Sequence, residues 1–180
     1  NAAAAANLRW LREHTAAHLH VDLIAGLPDE DLDSLAAGFD HLVGLGPHEI
    51  QLGILKRLRG TPIVRHSERC AMRYSDEAPY EVLSTGRIDA AKLQRIKRFA
   101  RYWDLVGNSG RFPRTLPRLL GDAPFARFMD FADTLFATTR RTHGFAVEDL
   151  YGQVHAGLTR SGVPEAEASM LLALDYRDSG

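Results

Sequence analysis

Two stretches of this sequence carry polar side chains at every second position, the spacing that places side chains on one face of a β-strand. The first contains His18, His20 and Asp22 in the pattern H-x-H-x-D. Imidazole and carboxylate groups converge at this spacing and are common ligands of divalent metals. A metal centre and a row of polar side chains lining a wet cavity are both compatible with the pattern. Since the sequence offers no obvious further ligand, we predict the polar row and no metal.

The second stretch contains Glu49 and Gln51 at this spacing, and Lys56 follows at the end of its predicted strand. Glu49 lies at the start of its predicted strand, and in parallel barrels that end of the sheet serves stability more than chemistry. Gln51 and Lys56 are therefore the better candidates for polar contacts to a substrate or cofactor. The alternative is an amide in a wet cavity and a solvated lysine at a strand end.

One strand–helix–strand unit positions these residues. Alternation predicts strands over 18–25 and 49–56, and the acidic turn at 29–31 opens an amphipathic helix that ends at Gly44 and Gly46. A crossover of this kind implies two parallel strands joined in the right-handed sense. One face of each strand is largely polar, whereas strands of a doubly wound sheet are apolar on both faces. The pattern favours a barrel whose inner face lines a wet or ligand-filled lumen.

Five segments combine into a more specific signature: Asp22–Pro28 (DLIAGLP), Glu49–Lys56 (EIQLGILK), Gly60–Thr61, Pro79–Leu83 (PYEVL) and Asn108–Gly110 (NSG). The first three resemble the late strands of the partial (β/α)6 barrel of radical S-adenosylmethionine enzymes, and the last two resemble segments of the C-terminal domain found in one group of that family. The most similar group carries an N-terminal cobalamin-binding domain and a C-terminal helical domain of unknown function. The cluster motif of that family, CxxxCxxC, is absent, because Cys70 is the sole cysteine. The chain therefore resembles the C-terminal piece of a longer enzyme.

The resemblance implies a cofactor cavity and a set of residues around it. Ile24 is expected to pack on the adenine of S-adenosylmethionine, and Gly26 to let the backbone approach the ligand. The other adenine-side segment comprises Leu52, Gly53, Ile54 and Leu55. The residues expected to line the substrate cavity are His18, His20, Asp22, Gln51 and Lys56. In the parent protein the implied cofactors are S-adenosylmethionine, a [4Fe–4S] cluster and cobalamin, and none is expected in this chain alone.

Radical-based methyl transfer, oxidoreduction or rearrangement of an unknown substrate is the implied activity of the parent enzyme. This chain alone is expected to be inactive, because it lacks the cluster cysteines. A non-catalytic helical binding module is the alternative that the sequence leaves open. A barrel metal hydrolase using His18, His20 and Asp22 is a third and weaker option.

The region after the strand–helix–strand unit predicts helices, apart from irregular or weakly extended chain over 71–84. Asp89 is expected to cap a long helix, and four further helices follow over 114–120, 124–142, 147–159 and 164–176. The predicted fold class is α/β followed by all-α: the last strands of a partial (β/α)6 barrel, then a C-terminal helical domain. The predicted domains are residues 1–85, the barrel piece with its connecting segment, and residues 86–180, the helical domain.

The net charge, the hydrophobic pattern and the cysteine count argue against several classes of partner. The 180 residues carry a net charge of −1, which provides no global attraction for nucleic acid. Basic residues between Arg87 and Arg118 alternate with aromatic ones, but a solvated helix face explains them better than a nucleic-acid groove. No apolar run approaches the roughly 20 residues of a membrane span, and the single cysteine fits a reducing, cytoplasmic compartment. The expected partners are the N-terminal remainder of the parent enzyme and a second copy, paired through the unpaired edge of the first strand.

Overall fold

A computed structural model describes residues 2–179 of the chain. They form seven α-helices, one 3-10 helix and four short strands. The contacts divide the chain into two compact units, residues 1–100 and 101–180. The division falls inside a helix, and the domain boundary near residue 85 stays a prediction. Among residues 2–179, none of the helices has both the length and the hydrophobicity needed to cross a bilayer.

The first unit contains the predicted strand–helix–strand arrangement, preceded by one helix and followed by two short strands. Its elements are α1 Ala2–His14, β1 His20–Ala25, α2 Leu32–Leu45, β2 Glu49–Ile54, the 3-10 helix Pro62–His66, β3 Arg73–Tyr74, β4 Val82–Ser84 and most of α3 Ala90–Val106. Its core includes Phe39 from α2 and Phe99 from α3, whose rings meet edge to face at 5.0 Å.

Local capping explains where α2 begins and ends. The Asp31 side chain accepts a hydrogen bond from the backbone N–H of Ser34, and the Ser34 hydroxyl returns a contact to the Asp31 backbone, which is a complete capping box. At the other end Gly46 adopts a left-handed conformation with φ of 64°. Glycine takes this conformation without a steric penalty, so the helix stops here and the chain turns into β2.

The two strands pair in parallel, and their register places residues of like character side by side. The rows on one face are His20 with Glu49, Asp22 with Gln51, and Ile24 with Gly53. The other face carries apolar pairs such as Val21 with Ile50. This arrangement confirms the predicted sorting of each strand into a polar and an apolar face.

A second stretch of pairing joins the end of β2 to a later part of the chain. The backbone N–H of Val82 donates to the carbonyl of Leu55 at 2.8 Å, and that of Arg57 donates to the carbonyl of Tyr80 at 2.9 Å. Between them Lys56 forms an antiparallel bridge with Glu81. The segment over 71–84 therefore contains short extended pieces, and its two ends pair as the antiparallel strands β3 and β4.

No partial barrel is present among residues 2–179. The parallel sheet consists of β1 and β2 alone, and β3–β4 forms a separate two-stranded sheet. A barrel of six strand–helix units needs several such units, and this sequence encodes one. The coarser prediction of an α/β part followed by helices is confirmed, whereas the barrel itself is absent.

Several element boundaries differ from those predicted. β1 begins at His20 rather than at residue 18, β2 ends at Ile54 rather than at residue 56, and the long helix after Pro124 ends at Thr139. Thr61 makes no capping hydrogen bond to the 3-10 helix, because its hydroxyl donates back to the carbonyl of Leu58 at 2.7 Å.

The second unit contains the last turns of α3 and only helices after it: α4 Thr115–Leu120, α5 Pro124–Thr139, α6 Val147–Arg160 and α7 Glu165–Asp178. Aromatic residues dominate its core. Trp103 meets Phe128 edge to face at 5.1 Å, and Phe112 lies 4.7 Å from the ring of Tyr151. These contacts explain why the apolar side chains of this region follow the helical period so closely.

Candidate functional site

A cleft of about 570 Å³ lies against the polar face of β1 and β2. Clefts of this size are typical of small-molecule sites. It extends along the C-terminal half of the two strands, the end at which parallel sheets place their ligands. The residues that line it are Asp22, Ile24, Gln51, Leu52, Gly53, Ile54, Leu55, Lys56, Leu58, Glu81, Lys97 and Ala100.

The cleft brings together eight of the eleven residues that the sequence analysis expects to contact a cofactor or substrate. Five of these eight form the stretch from Leu52 to Lys56. The three that lie outside the lining are His18, His20 and Gly26. The role of each residue toward a ligand stays a prediction. The residues lie together because the register of β1 and β2 places them side by side.

The floor of the cleft is apolar where Ile24 and Gly53 stand side by side. A Cβ atom added to Gly53 would lie 3.3 Å from Ile24 Cδ1, so the isoleucine side chain extends across the glycine. The missing side chain on β2 thus leaves a flat apolar surface one row above the polar row of Asp22 and Gln51. Such a surface can hold a planar ring, with hydrogen-bonding groups beside it.

His20 forms the centre of a hydrogen-bonded group at the start of both strands. Its Nδ1 donates to Glu49 Oε2 at 2.9 Å, and its Nε2 donates to Gln51 Oε1 at 3.0 Å with Asp22 Oδ1 at 3.3 Å. Only the protonated ring can donate from both nitrogens. The hydrogen bond to Glu49, followed by the contacts to Asp22 and Gln51, therefore raises the pKa of His20 above its ordinary value.

His48 lies at the same end of the sheet and has the opposite surroundings. Its Nδ1 accepts a hydrogen bond from the backbone N–H of Leu19 at 2.9 Å, and Arg12 lies against its Nε2 at 2.6 Å. Burial and then the Arg12 charge lower the pKa of His48. The ring also stacks on His18, with the centroids 4.7 Å apart.

Gly26, at the end of β1, is required by packing within the chain. Its φ is 89°, and an added Cβ atom would lie 2.6 Å from Val82 Cγ1. Its backbone N–H donates to Glu30 Oε2 at 2.7 Å, and the N–H of Leu27 is directed at the same oxygen. Burial raises the pKa of Glu30. The side chains of Val82 and Glu30 therefore lie against Gly26, and the close approach of a ligand that the resemblance implies stays a prediction.

Two arginines from later in the chain hold the acidic turn that follows β1. Arg69 makes a bidentate contact to Asp29 at 2.9 and 2.7 Å, and Arg87 contacts Asp31 at 3.2 Å. The hydrogen bond from Arg69 lowers the pKa of Asp29, which adopts a left-handed φ of 65°. These contacts hold the loop that follows β1.

Sequence reasoning missed Glu81 and Lys97, which form an ion pair in the cleft wall. They lie more than 20 residues beyond β2 in the chain. Glu81 belongs to the PYEVL segment, which carried no site prediction, and Lys97 belongs to no motif. One signal in the composition points to Lys97: the chain contains only three lysines, at positions 56, 92 and 97, against 19 arginines. Two of those three lysines line the cleft.

The described residues offer no group of three or more His, Cys, Asp or Glu side chains that could hold a metal ion. The three members of the H-x-H-x-D pattern instead make the hydrogen bonds and ion pairs of the His20 group, including one from His18 Nε2 to Glu49 Oε1 at 3.4 Å. Cys70 is buried, and its Sγ donates to Asp29 Oδ1 at 3.6 Å.

None of the curated proteins matches this sequence. A family model does match it, over residues 68–179, and the family is described as "Protein of unknown function (DUF4080)". The matched segment contains Glu81, Lys97 and Ala100 of the cleft wall, whereas β1 and β2 precede it. Because the match covers more than half of its residues, the chain belongs to the DUF4080 family.

Proposed function

We propose that this chain is part of a radical S-adenosylmethionine enzyme of the cobalamin-binding type, and that its cleft forms part of the S-adenosylmethionine and substrate cavity. The observation that carries the proposal is the convergence of eight residues, chosen from the sequence alone, on one cleft. The resemblance also expects a helical domain of unknown function behind the strands. The family match over 68–179 agrees with that part of the expectation.

The residues of the cleft fit part of S-adenosylmethionine. The flat surface of Ile24 and Gly53 suits an adenine ring, and the backbone of the 52–55 segment provides polar groups along its edge. Asp22 and Gln51 are placed in the next row, where they can accept or donate hydrogen bonds to hydroxyl or amino groups. The role proposed for this chain is to bind and orient the molecule and to exclude water from one side of it.

When bound in such an enzyme, S-adenosylmethionine supplies a carbon-centred radical after reductive cleavage. The chain cannot itself hold the iron–sulfur cluster that performs the cleavage. An iron–sulfur cluster is held by several cysteine thiolates, and the sequence has one cysteine, buried and hydrogen-bonded to Asp29. We therefore assign no step of the reaction to the residues of this chain beyond binding and orientation.

Anaerobic purification of the protein encoded by the complete reading frame tests the proposal. Iron and sulfide content should match a [4Fe–4S] cluster, and calorimetry should detect S-adenosylmethionine binding. Gly53→Val fills the flat surface and should weaken that binding by about tenfold or more, equivalent to about 1.4 kcal/mol. The matched control is Gly44→Val, because Gly44 is exposed in α2 and has no atom within 4 Å of an added Cβ.

Three results would refute the proposal: a complete protein without a cluster, one that does not bind S-adenosylmethionine, or equal affinities in the two valine variants. Thermal midpoints of both variants show whether a loss of affinity reflects a loss of folding. A lowered midpoint with unchanged affinity for Gly53→Val would also count against the adenine assignment.

A further inference from the structure

A cluster of two lysines and one carboxylate lies at the end of the cleft where β2 stops. Lys56 and Glu81 are bridge partners on antiparallel strands, so their side chains lie on the same face, directly opposite each other. Glu81 Oε2 accepts the ion pair from Lys97 Nζ on α3. All three residues line the cleft. Two ammonium groups and one carboxylate therefore line this end of the cleft, and their formal charges sum to one positive charge.

No other acid neutralises this end of the cleft. Among residues 2–179, no acidic side chain lies within ion-pair distance of the Lys56 ammonium. Asp22, the other acid of the lining, is placed at the opposite end and contacts His20 at 3.3 Å. Asp22 pairs with Gln51, five residues before Lys56, which corresponds to roughly 16 Å along an extended strand.

The choice of lysine at these two positions is itself informative. Arginine supplies 19 of the 22 lysine and arginine residues of the chain. Lysine offers a compact ammonium with three rotatable donors, which can reorient toward a small anion, whereas the arginine fork is rigid and planar. The third lysine, Lys92, lies outside the cleft and pairs with Asp89 at 3.4 Å.

We propose that Lys56 and Lys97 form an anion subsite, which holds a carboxylate or phosphate group of the molecule that occupies the cleft. Glu81 holds the Lys97 ammonium at this end of the cleft. The inference deepens the proposed function and rests on it for the identity of that molecule, an anionic substrate placed beyond the adenine surface. It also assigns a task to the family domain, because Glu81 and Lys97 belong to the matched segment.

The three lysines allow a direct test on this chain. Reductive methylation with ¹³C-formaldehyde retains the positive charge and gives one resolved NMR signal per lysine, assigned with Lys→Arg variants. Inorganic phosphate and, separately, sodium acetate are titrated at constant ionic strength against sodium chloride. We expect the Lys56 and Lys97 signals to move together and to saturate with a single dissociation constant in the millimolar range, roughly 1–10 mM, while the Lys92 signal stays in place.

Variants separate a binding site from a structural ion pair. Glu81→Gln removes the carboxylate that competes with the anion, so phosphate should bind about three- to tenfold more tightly. Lys56→Gln should weaken binding by at least about fivefold, and Lys92→Gln should leave it unchanged. The two-dimensional amide spectrum of each variant verifies that it is folded.

Equal or non-saturating movement of all three lysine signals would overturn the proposal, as would unchanged or weaker binding in folded Glu81→Gln. Tighter binding of phosphate than of acetate would assign a phosphorylated ligand, and the reverse order a carboxylic acid. The outcome is independent of the S-adenosylmethionine experiment. If this chain binds phosphate saturably but the complete protein does not bind S-adenosylmethionine, the anion subsite is supported and the proposed radical enzyme is refuted.

Discussion

Asp175, near the end of α7, accepts a hydrogen bond from the backbone N–H of Thr115, the first residue of α4, at 2.9 Å. The backbone N–H of Arg114 donates to the other carboxylate oxygen at 3.1 Å. Asp175 is 1% exposed. Arg114, the residue before α4, makes no side-chain capping hydrogen bond. The start of α4 is therefore capped by a carboxylate from 60 residues away.

Replacing Asp175 with alanine should destabilise the second unit. The change leaves the buried backbone donor of Thr115 and the partly buried one of Arg114 without this acceptor. We expect a loss of about 2–4 kcal/mol in the free energy of unfolding. Urea denaturation measures it. Asp178→Ala is the control, because Asp178 contacts the same Arg114 guanidinium at 2.7 Å but is partly exposed. Equal losses in the two variants would show that the Arg114 ion pairs, rather than the cap, carry the effect.

Gly26→Ala should destabilise the first unit through two separable effects, backbone strain and a steric clash. The left-handed φ of 89° disfavours a side chain, and the new Cβ atom would collide with Val82 Cγ1. Together we expect about 2–4 kcal/mol. Gly60→Ala measures the backbone term alone, since Gly60 has φ of 83° and no atom within 4 Å of an added Cβ. The double variant Gly26→Ala/Val82→Ala should recover part of the difference in chemical denaturation, and no recovery would refute the steric explanation.

His20 should titrate above pH 6.5 in the folded protein. Its pKa is raised mainly by Glu49 and then by Asp22 and Gln51, so the folded state binds the proton more tightly than the unfolded state does. The stability from this contact is fully present below pH 6.5 and is lost as the pH rises through the folded pKa. NMR titration of the imidazole Cε1–H signal measures the shift. Glu49→Gln should return the pKa toward its ordinary value, and an unchanged pKa in that variant would contradict the assignment.

His48 provides an internal contrast in the same titration. Its pKa is lowered by burial and by Arg12, so its signal should titrate below pH 6.5. Protonation of the unfolded chain then costs stability as the pH falls from 6.5 to the folded pKa. Arg12→Gln should raise the pKa of His48 and leave that of His20 in place, because Arg12 is absent from the His20 contacts.

Gly157→Ala tests whether helix propensity or packing has the larger effect on stability at a buried glycine in α6. Alanine favours a helix by about 1 kcal/mol, but its Cβ atom would lie 2.7 Å from Phe131 Cδ2 on α5. Overpacking of this kind costs about 1–3 kcal/mol, so we expect a net loss of stability. Gly152→Ala, in the same helix with nothing within 4 Å, should increase the thermal midpoint. A stabilising Gly157→Ala would show that Phe131 moves aside freely.

The strand–helix–strand unit and its two-faced strands were predictable because both depend on short periods in the sequence. Alternation placed Asp22 and Ile24 on one face of β1 and Gln51 and Gly53 on one face of β2, and the cap residues located the ends of α2. The polar row that contains His20 was predictable in composition. Its hydrogen-bond partners across the strands were not, because register depends on which residues of β2 lie opposite.

What the sequence did not predict depends on long separations along the chain. Val82, whose side chain leaves no room for a Cβ atom at position 26, lies 56 residues after Gly26. The Glu81–Lys97 pair likewise comes long after β2, which ends at Ile54. The barrel was inferred from resemblance, and strands outside this sequence would have to complete it. The role of Asp175 also has no local signal in the sequence, because this aspartate near the end of α7 caps the start of a different helix, α4.

The family match begins at residue 68, inside the compact unit of residues 1–100. The backbone of Tyr80 and Val82 is hydrogen-bonded to Arg57 and Leu55, and Arg69 and Arg87 hold the turn after β1. Recombination at the start of the family segment would separate both sets of partners. The evolutionary unit is therefore the family segment together with the strand–helix–strand unit before it. We expect the two to be inherited together and their contacting residues to covary.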